Sequence, residues 1–312
     1  MTDNLLAGID CGATKVLIQS AIFEPGTDNV YPGKISKEFV YSDHAEWNKN
    51  FLPVPIHVQK CEFDEKKISL NNSERTQGRI IIDTIRKAMD NIKYHKKALC
   101  YPGIKYNNDI VIMANGPRII NMKNKIGSIN TVFNDSECCV IGEWKSSIGK
   151  MKNIKNGVYI GGGTGIADGI IMDGELIDFS DEGSPKRSWE LLLPTGDSVE
   201  SLLSPSGILN HFNKLNNSNI KKMNDILKFK NYQKIFSNAA DAFAFLVKDR
   251  ADFFQKRNKQ IEKIIIGQRL GEFLSNGNIL SDLIKESTDI EINFSSDRRT
   301  AALGAVWKLI CS

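Results

Sequence analysis

Two short turns and one dipeptide hold the residues that could do chemistry. Near the start, GIDCGATK places an acid, Asp10, just before a turn of small residues, Gly12, Ala13 and Thr14, with Lys15 behind it. A turn between antiparallel strands exposes backbone N–H groups that the ladder does not use, and small residues let an anion approach them. Thr14 adds a hydroxyl donor, so the array suits phosphate. An aspartate there would repel phosphate unless a divalent cation lay between them, and Mg²⁺ is commonly bound by one carboxylate together with phosphate oxygens. Asp10 therefore reads as a metal-side acid, Gly12–Thr14 as a phosphate cradle and Lys15 as a charge partner. Taken alone, the same residues also describe an ordinary hairpin with a polar turn.

The second turn lies in YIGGGTGIADG, where Gly161, Gly162, Gly163 and Gly165 surround Thr164. Such a run is costly in conformational entropy, and packing alone explains it poorly. It fits a second phosphate turn built from Gly162, Gly163, Thr164 and Gly165. It is not a dinucleotide-binding fingerprint, because reading G-x-G from Gly163 puts Asp168 where the third glycine belongs. Nor is there a P-loop: GEWKSSIGKM has two residues too many and Met151 in place of Ser or Thr. Two such hairpins in one chain favour nucleotide phosphates held from both sides. The dipeptide is Asn134-Asp135. A carboxylate within reach of a hydroxyl can accept its proton as the oxygen attacks, an effect worth about 10²–10⁴ in rate. From spacing alone, Asp135 is equally a helix N-cap.

These residues need elements to hold them. LLAGID and TKVLIQSAIF read as the strands of a hairpin around the first turn. Residues 31 to about 73 are irregular, with Pro32, Pro53 and Pro55, and are expected to form loops and short strands. Ile82, Ile85, Met89 and Ile92 recur at helical spacing. KALCYPGI is a short strand ending at a Pro-Gly turn, DIVIMANGPRI another, and INTVFND a third that leads into the helix SECCVIGEWKSSIG. GVYIGGGTGIADGIIMDGELI is a second hairpin system, with Asp173-Gly174 a favoured tight turn. A loop at 181–188, one or two helices running into the strand KIIIG, and a final helix RRTAALGAVWKLI complete the chain. Strand–turn–strand with a Gly/Thr turn thus occurs twice, each time opening an α/β region, as two related domains facing a cleft would require.

Composition limits the alternatives. A chain of 312 residues is long enough for two domains. Its hydrophobic fraction of 41% and charged fraction of 25% are those of a globular protein. No apolar run approaches the roughly 20 residues that span a bilayer, and no signal-peptide pattern opens the chain. The net charge of +4 is modest, and the lysines at 145, 150, 152 and 155 read as a solvated loop rather than a nucleic-acid patch. The six cysteines form no C-x-x-C pair and no zinc spacing, so free thiols in a reducing cytoplasm are expected, with Cys138 and Cys139 in the core. His44, His57, His95 and His211 share no motif and receive no catalytic role.

Taken together, the motifs resemble the superfamily of actin, hexokinase and the heat-shock ATPase chaperones, and within it the ROK group of sugar kinases and sugar-responsive proteins. GIDCGATK resembles the group's first phosphate motif, with Ala13 in place of its second glycine. FNDSECCVIGE resembles the strand end and helix that carry the catalytic base, and YIGGGTGIADGIIMDGELI the second phosphate motif. CYPGI, MANGPRI and TAALGAVWKL resemble a Pro-Gly turn, a sugar-facing loop and the closing helix. The order and approximate spacing match over nearly the whole chain. The resemblance implies an α/β fold of two duplicated actin-like (ribonuclease H-like) domains around a cleft, one of 1–133 plus 298–312 and the other of 134–297.

The implied activity is ATP- and Mg²⁺-dependent phosphorylation of a sugar hydroxyl, a hexose such as glucose, in the cytoplasm. Asp135 would be the general base, with Asn115, Gly116, Asn134, Glu190 and Glu200 at the sugar. A homodimer is also implied, with neither nucleic acid nor membrane as partner. Beyond Ala13, the chain departs from the group at further points. Its Gly-Glu-x-Gly-His and cysteine-rich zinc motif is absent, so no structural zinc is expected. Gln268 and Arg269 replace glycines of the segment that lines the adenosine pocket. No helix-turn-helix segment precedes Asp10. The departures leave two rival readings: a non-catalytic sugar or nucleotide sensor on the same fold, and a kinase acting on another sugar or using polyphosphate as donor.

Overall fold

In the computed structural model, which describes residues 6–90, 94–127, 129 and 131–311, the first apolar run forms β1 (Leu6–Cys11) and returns as β2 (Lys15–Glu24). Then follow β3 (Asn29–Val40), α1 (Ile56–Asp64), α2 (Asn72–Asp90), β4 (Lys96–Tyr101), β5 (Ile104–Tyr106) and β6 (Asp109–Ile112). Next come α3 (Met122–Ile126), β7 (Val132–Asn134) and α4 (Asp135–Lys145). The next stretch holds β8 (Gly157–Gly162), β9 (Ile166–Met172), β10 (Glu175–Leu176), α5 (Val199–Leu203), α6 (Pro205–Asn216), α7 (Met223–Ile226) and α8 (Gln233–Gln255). It ends with β11 (Lys263–Gly267), α9 (Gln268–Ser275), α10 (Ile279–Glu286) and β12 (Glu291–Phe294), before α11 (Thr300–Cys311) returns to the first unit.

The duplication is plain in the sheets. One five-stranded sheet has the order β3-β2-β1-β4-β7 and the other β10-β9-β8-β11-β12. In both, the first three strands are antiparallel neighbours and the last two add in parallel. Ile9, Val16 and Ile18 of the first sheet bury against Ile80 and Ile85 of α2. Ile160, Ile170, Ile264 and Ile266 of the second share a core with Phe236, Phe243 and Leu246 of α8. Among the described residues no helix is long and apolar enough to cross a membrane. Cys138 and Cys139 are buried, as expected of core residues.

The compact units are Met1–Ile148 with Arg299–Ser312, and Gly149–Arg298. The expected boundary at 133/134 would have given α4, and with it Asp135, to the second domain. Packing gives both to the first, because α11 lies directly on β1 and α4. A methyl group on Gly8 would lie 1.8 Å from the Ala302 carbonyl oxygen, and one on Gly142 would lie 1.9 Å from that of Thr300. One on Gly304 would lie 1.9 Å from the Cys138 carbonyl oxygen. Glycine at these three positions is what lets the backbones touch.

Two further differences have local causes. The stretch expected to be irregular contains β3, a twelve-residue strand. Its Pro32 is tolerated because β3 is an edge strand. The ladder shifts register between Gln19 and Ala21, and side chains repair the gap. Ser20 Oγ accepts from the Ile35 N–H at 2.9 Å, and Gln19 Nε2 donates to the Gly33 carbonyl at 2.9 Å. Helix α2 starts at Asn72 because Asn71 and Glu74 form a reciprocal cap, with Asn71 Oδ1 accepting from the Glu74 N–H at 2.8 Å and Glu74 Oε2 accepting from the Asn71 N–H at 3.1 Å. Ile92, expected on this helix, lies outside the described residues.

Gly304→Ala should cost about 1–3 kcal/mol through overpacking against α4. Gly26→Ala, with nothing within 4 Å of the added methyl, should leave the unfolding midpoint nearly unchanged. Urea titration of both variants checks this, and equal midpoints would contradict the close packing of α11.

Candidate active site

Parallel strands β1, β4 and β7 bring the first unit's acids to one end of a sheet. Asp10 pairs with Cys100 in register, and Cys100 with Phe133. The first turn and the Asn134-Asp135 pair therefore stand about two strand spacings apart, roughly 10 Å, at the carboxyl ends of the strands. This is where open α/β sheets commonly bind ligands. Asp10 is half-buried, and Cys100 Sγ donates toward its Oδ1 at 3.6 Å. Tyr41 braces the turn, its N–H donating to the Thr14 carbonyl at 3.1 Å and its hydroxyl to the Gly12 carbonyl at 3.1 Å. The Gly12 N–H is spent on the Lys15 carbonyl at 3.0 Å. The N–H groups of Ala13 and Thr14 have no hydrogen-bond partner among the described residues. Lys15, expected as a charge partner for phosphate, instead forms an ion pair with Glu38 on β3.

Asp135 opens α4, but the N-cap is Asn134. Asn134 Oδ1 accepts from the Ser136 N–H at 3.0 Å and from the Ser136 hydroxyl at 2.6 Å. The Asn134 amide nitrogen is thereby left as the donor for a ligand. Asp135 Oδ1 also accepts from the Ser136 N–H, at 2.9 Å, and its second oxygen has no hydrogen bond among the described residues. Desolvation raises its pKa above the ordinary carboxylate range, while the Lys105 ammonium and the Ser136 N–H pull it back down. Lys105 is a residue that sequence reading missed. It lies on β5, whose turn into β6 is tied to β7 by Asn108 Oδ1 accepting from the Val132 N–H at 3.0 Å. Its Nζ donates to the Gly103 carbonyl at 2.9 Å. Burial lowers its pKa, and Asp135 and Glu137 oppose that shift.

The loop carrying Asn115 and Gly116 is held on both sides. Before it, buried Gln59 exchanges hydrogen bonds with Met113, donating to its carbonyl at 3.0 Å and accepting from its N–H at 2.8 Å. After it, fully buried Arg118 forks onto Glu74 at 2.8 and 3.0 Å and also binds Glu62. Asn115 itself is exposed and Gly116 buried.

In the second unit, β8 and β9 carry the glycine turn. The Gly163 N–H donates to the Gly165 carbonyl at 2.8 Å, and the N–H groups of Thr164 and Gly165 have no partner among the described residues. Packing explains more of this run than expected. A methyl on Gly162 would meet Leu270 Cβ at 2.4 Å, and one on Gly165 would meet Glu200 Oε2 at 2.3 Å. Glu200 accepts from the Ile166 N–H at 2.8 Å, so one of its oxygens is spent on holding the turn. Burial raises its pKa, the Ile166 N–H lowers it and Asp168 adds to the rise. Glu190 closes a local turn, accepting from the Arg187 N–H at 3.1 Å. Asp168, noted only as a missing glycine, forms a buried ion pair with Arg250. Asn115, Gly116, Asn134 and Asp135 share the first unit, whereas Glu190 and Glu200 belong to the second.

Two measurements check these electrostatics. Lys105→Met should move the Asp135 titration to higher pH, read by carboxyl ¹³C NMR, while Lys105→Arg should leave it nearly in place; an unmoved titration would place the ammonium out of reach. Glu200→Gln keeps an acceptor for the Ile166 N–H and removes a desolvated charge. A carboxyl whose folded pKa is raised stabilises the fold below its unfolded pKa and loses that contribution as pH rises through the folded one. The variant should therefore melt higher than wild type at about pH 7 and no higher at about pH 4.

No family model and no curated protein matches the sequence. Solved structures do match the fold. A ROK hexokinase from Thermus thermophilus aligns with a TM-score of 0.59, over 99% of this chain and 100% of its own, at 13% identity. A ROK family glucokinase from Streptomyces griseus, in complex with glucose and AMPPNP, aligns at 0.57 over 97% of this chain and 98% of its own, at 14% identity. A ROK family transcriptional regulator, a homologue of the E. coli MLC protein, aligns at 0.58 over 98% of this chain and 78% of its own, at 13% identity. The likeness is one of fold: this chain has the duplicated α/β architecture found in sugar kinases and a regulator of the ROK group.

Proposed function

We propose that the chain is a ROK-type sugar kinase that transfers a phosphoryl group from ATP to a hydroxyl of a hexose such as glucose. The observation that carries this reading is Asp135, a desolvated carboxylate with an uncommitted oxygen, at the same sheet end as the Asp10–Thr14 turn. In the proposed step the hydroxyl oxygen bonds to the terminal phosphorus while Asp135 takes its proton. The bond from that phosphorus to the bridging oxygen breaks, and ADP leaves. Asn134 Nδ2 would steady a neighbouring hydroxyl, and the loop of Asn115 and Gly116, clamped by Gln59 and Arg118, would face the sugar. On the second unit, Glu190 and Glu200 are the residues proposed to bind sugar.

The turn amides of Ala13 and Thr14, and those of Thr164 and Gly165, would hold phosphate oxygens. Phosphoryl transfer asks chiefly for such positioning and charge neutralisation. Among the described residues no three His, Cys, Asp or Glu side chains group to bind a metal. A single carboxylate is a common protein contribution to a Mg²⁺ bound together with phosphate oxygens. Asp10 is the residue that would hold it, and the ion would offset phosphate charge.

A second reading has its own support. Lys15 is engaged by Glu38, and Gln268 and Arg269 stand in the segment where the group carries glycines. A sensor that binds sugar without turning it over would show ligand-raised thermal stability and no product. For the kinase reading, Asp135→Asn should bind hexose with nearly wild-type affinity by calorimetry and lose about 10²–10⁴ in kcat. An unchanged kcat would remove Asp135 from the role.

A further inference from the structure

Helix α9 begins in a strained way. Gln268 has φ +59°, in the left-handed region that non-glycine residues enter at a cost. Strain of this kind persists where the surroundings demand it, often at ligand sites. Its consequence is to set two side chains on the second glycine turn. Gln268 Oε1 lies where a methyl on Gly163 would approach to 2.9 Å, and Arg269 Nη2 donates to the Thr164 hydroxyl at 3.3 Å.

Arg269 is half-buried, yet that long bond to Thr164 is its one hydrogen bond among the described residues. A guanidinium offers five N–H donors. No carboxylate of the described residues forms an ion pair with it. The neighbouring Arg298 is paired with Glu272 and adds positive charge rather than relieving it. Burial, with Arg298 as a lesser cause, holds the Arg269 pKa below its ordinary value. A desolvated cation without a counter-ion is costly, and truncating its missing partner would be the usual way to create one. Beside the guanidinium stand the Thr164 hydroxyl and the unpartnered N–H groups of Thr164 and Gly165. The spare guanidinium N–H groups and the two backbone N–H groups are donors, and the Thr164 hydroxyl, which accepts from Arg269, has its own proton to give, so the ligand they fit is an acceptor-rich anion. Arginine's planar fork suits phosphoryl oxygens bidentately. Glu200, the acid at this turn, is turned onto the Ile166 N–H.

We propose that Arg269 binds phosphoryl oxygens of the donor at the second glycine turn, so that the donor is recognised there by its phosphate chain rather than by its nucleoside. The inference rests on the reading of that turn as a phosphate site and names the donor class: a linear chain of phosphates, with or without a nucleoside attached. ATP and an inorganic polyphosphate offer the same chemistry, and the test separates them.

The test is calorimetric titration of the intact protein with ATP and with inorganic tripolyphosphate, each with Mg²⁺. Wild type should bind the two within about threefold of each other. Arg269→Gln should weaken both by about tenfold or more, the loss expected for hydrogen bonds to a charged group. Arg269→Lys keeps the charge but not the fork and should fall between them, and this variant decides the matter if the glutamine variant does not fold. Arg86→Gln, in the other unit, serves as the control. Equal affinities in wild type and Arg269→Lys, or binding of ATP without tripolyphosphate, would overturn the proposal. Supplying each compound as phosphoryl donor to wild type with a hexose identifies which is used. If binding depends on Arg269 but no sugar phosphate forms, the kinase reading falls and the phosphate site stands. If sugar phosphate forms while the Arg269 variants bind as wild type, only the present inference falls.

Discussion

Where α11 crosses β1 and α4, Gly8, Gly142 and Gly304 let backbone meet backbone with no side chain between. The contact is specific because a single methyl at any of the three would fall inside a carbonyl oxygen. It fixes the strand that carries Asp10 against the helix that begins with Asp135, although the two residues are far apart in sequence. The segment that makes the contact comes last in the chain, after the whole second unit. Glu137 of α4 and Lys308 of α11 add an ion pair across the same seam. The proposed chemistry depends on this seam, since a base and a phosphate turn are useful only at a fixed spacing.

Buried charge recurs throughout, in two distinct arrangements. Arg118 with Glu74, and Arg250 with Asp168, are buried ion pairs that hold loops, with Arg250 Nε alone of these groups left without a partner among the described residues. Asp135, Lys105 and Arg269 are desolvated without such closure. The difference is chemical: a satisfied buried pair acts as a structural tie, whereas a desolvated group with spare hydrogen-bonding capacity gains by meeting substrate. Glu200 lies between these cases, with one oxygen spent on the Ile166 N–H.

Much of the fold could be read from the chain because it is written locally. Both hairpins, the strand before Asn134, helix α4 and the closing helix show their period or their turn residues within a dozen positions. The boundary between units could not be read that way, since glycine contacts between α11 and α4 decide it. β3 was hidden by Pro32, which an edge strand admits. The glycine run was visible, but its cause was only partly legible: Gly162 and Gly165 are small because Leu270 and Glu200 crowd them, and neither neighbour is near in sequence. For the same reason Lys105 gave no signal, as its charge acts on Asp135 only once strand pairing, here of Tyr101 with Asn134, gathers distant segments. The Asn71–Glu74 cap did have a readable pattern, Asn-x-x-Glu before an apolar run.

In the proposed reaction a carboxylate at the end of β7 deprotonates a sugar hydroxyl as phosphate arrives. The most direct measurement is ³¹P NMR of the purified protein incubated with ATP, Mg²⁺ and each member of a hexose panel. Growth of a sugar-phosphate monoester resonance together with that of ADP is the predicted result. An unchanged ATP spectrum with every hexose, or ADP and free phosphate without the ester, would contradict it.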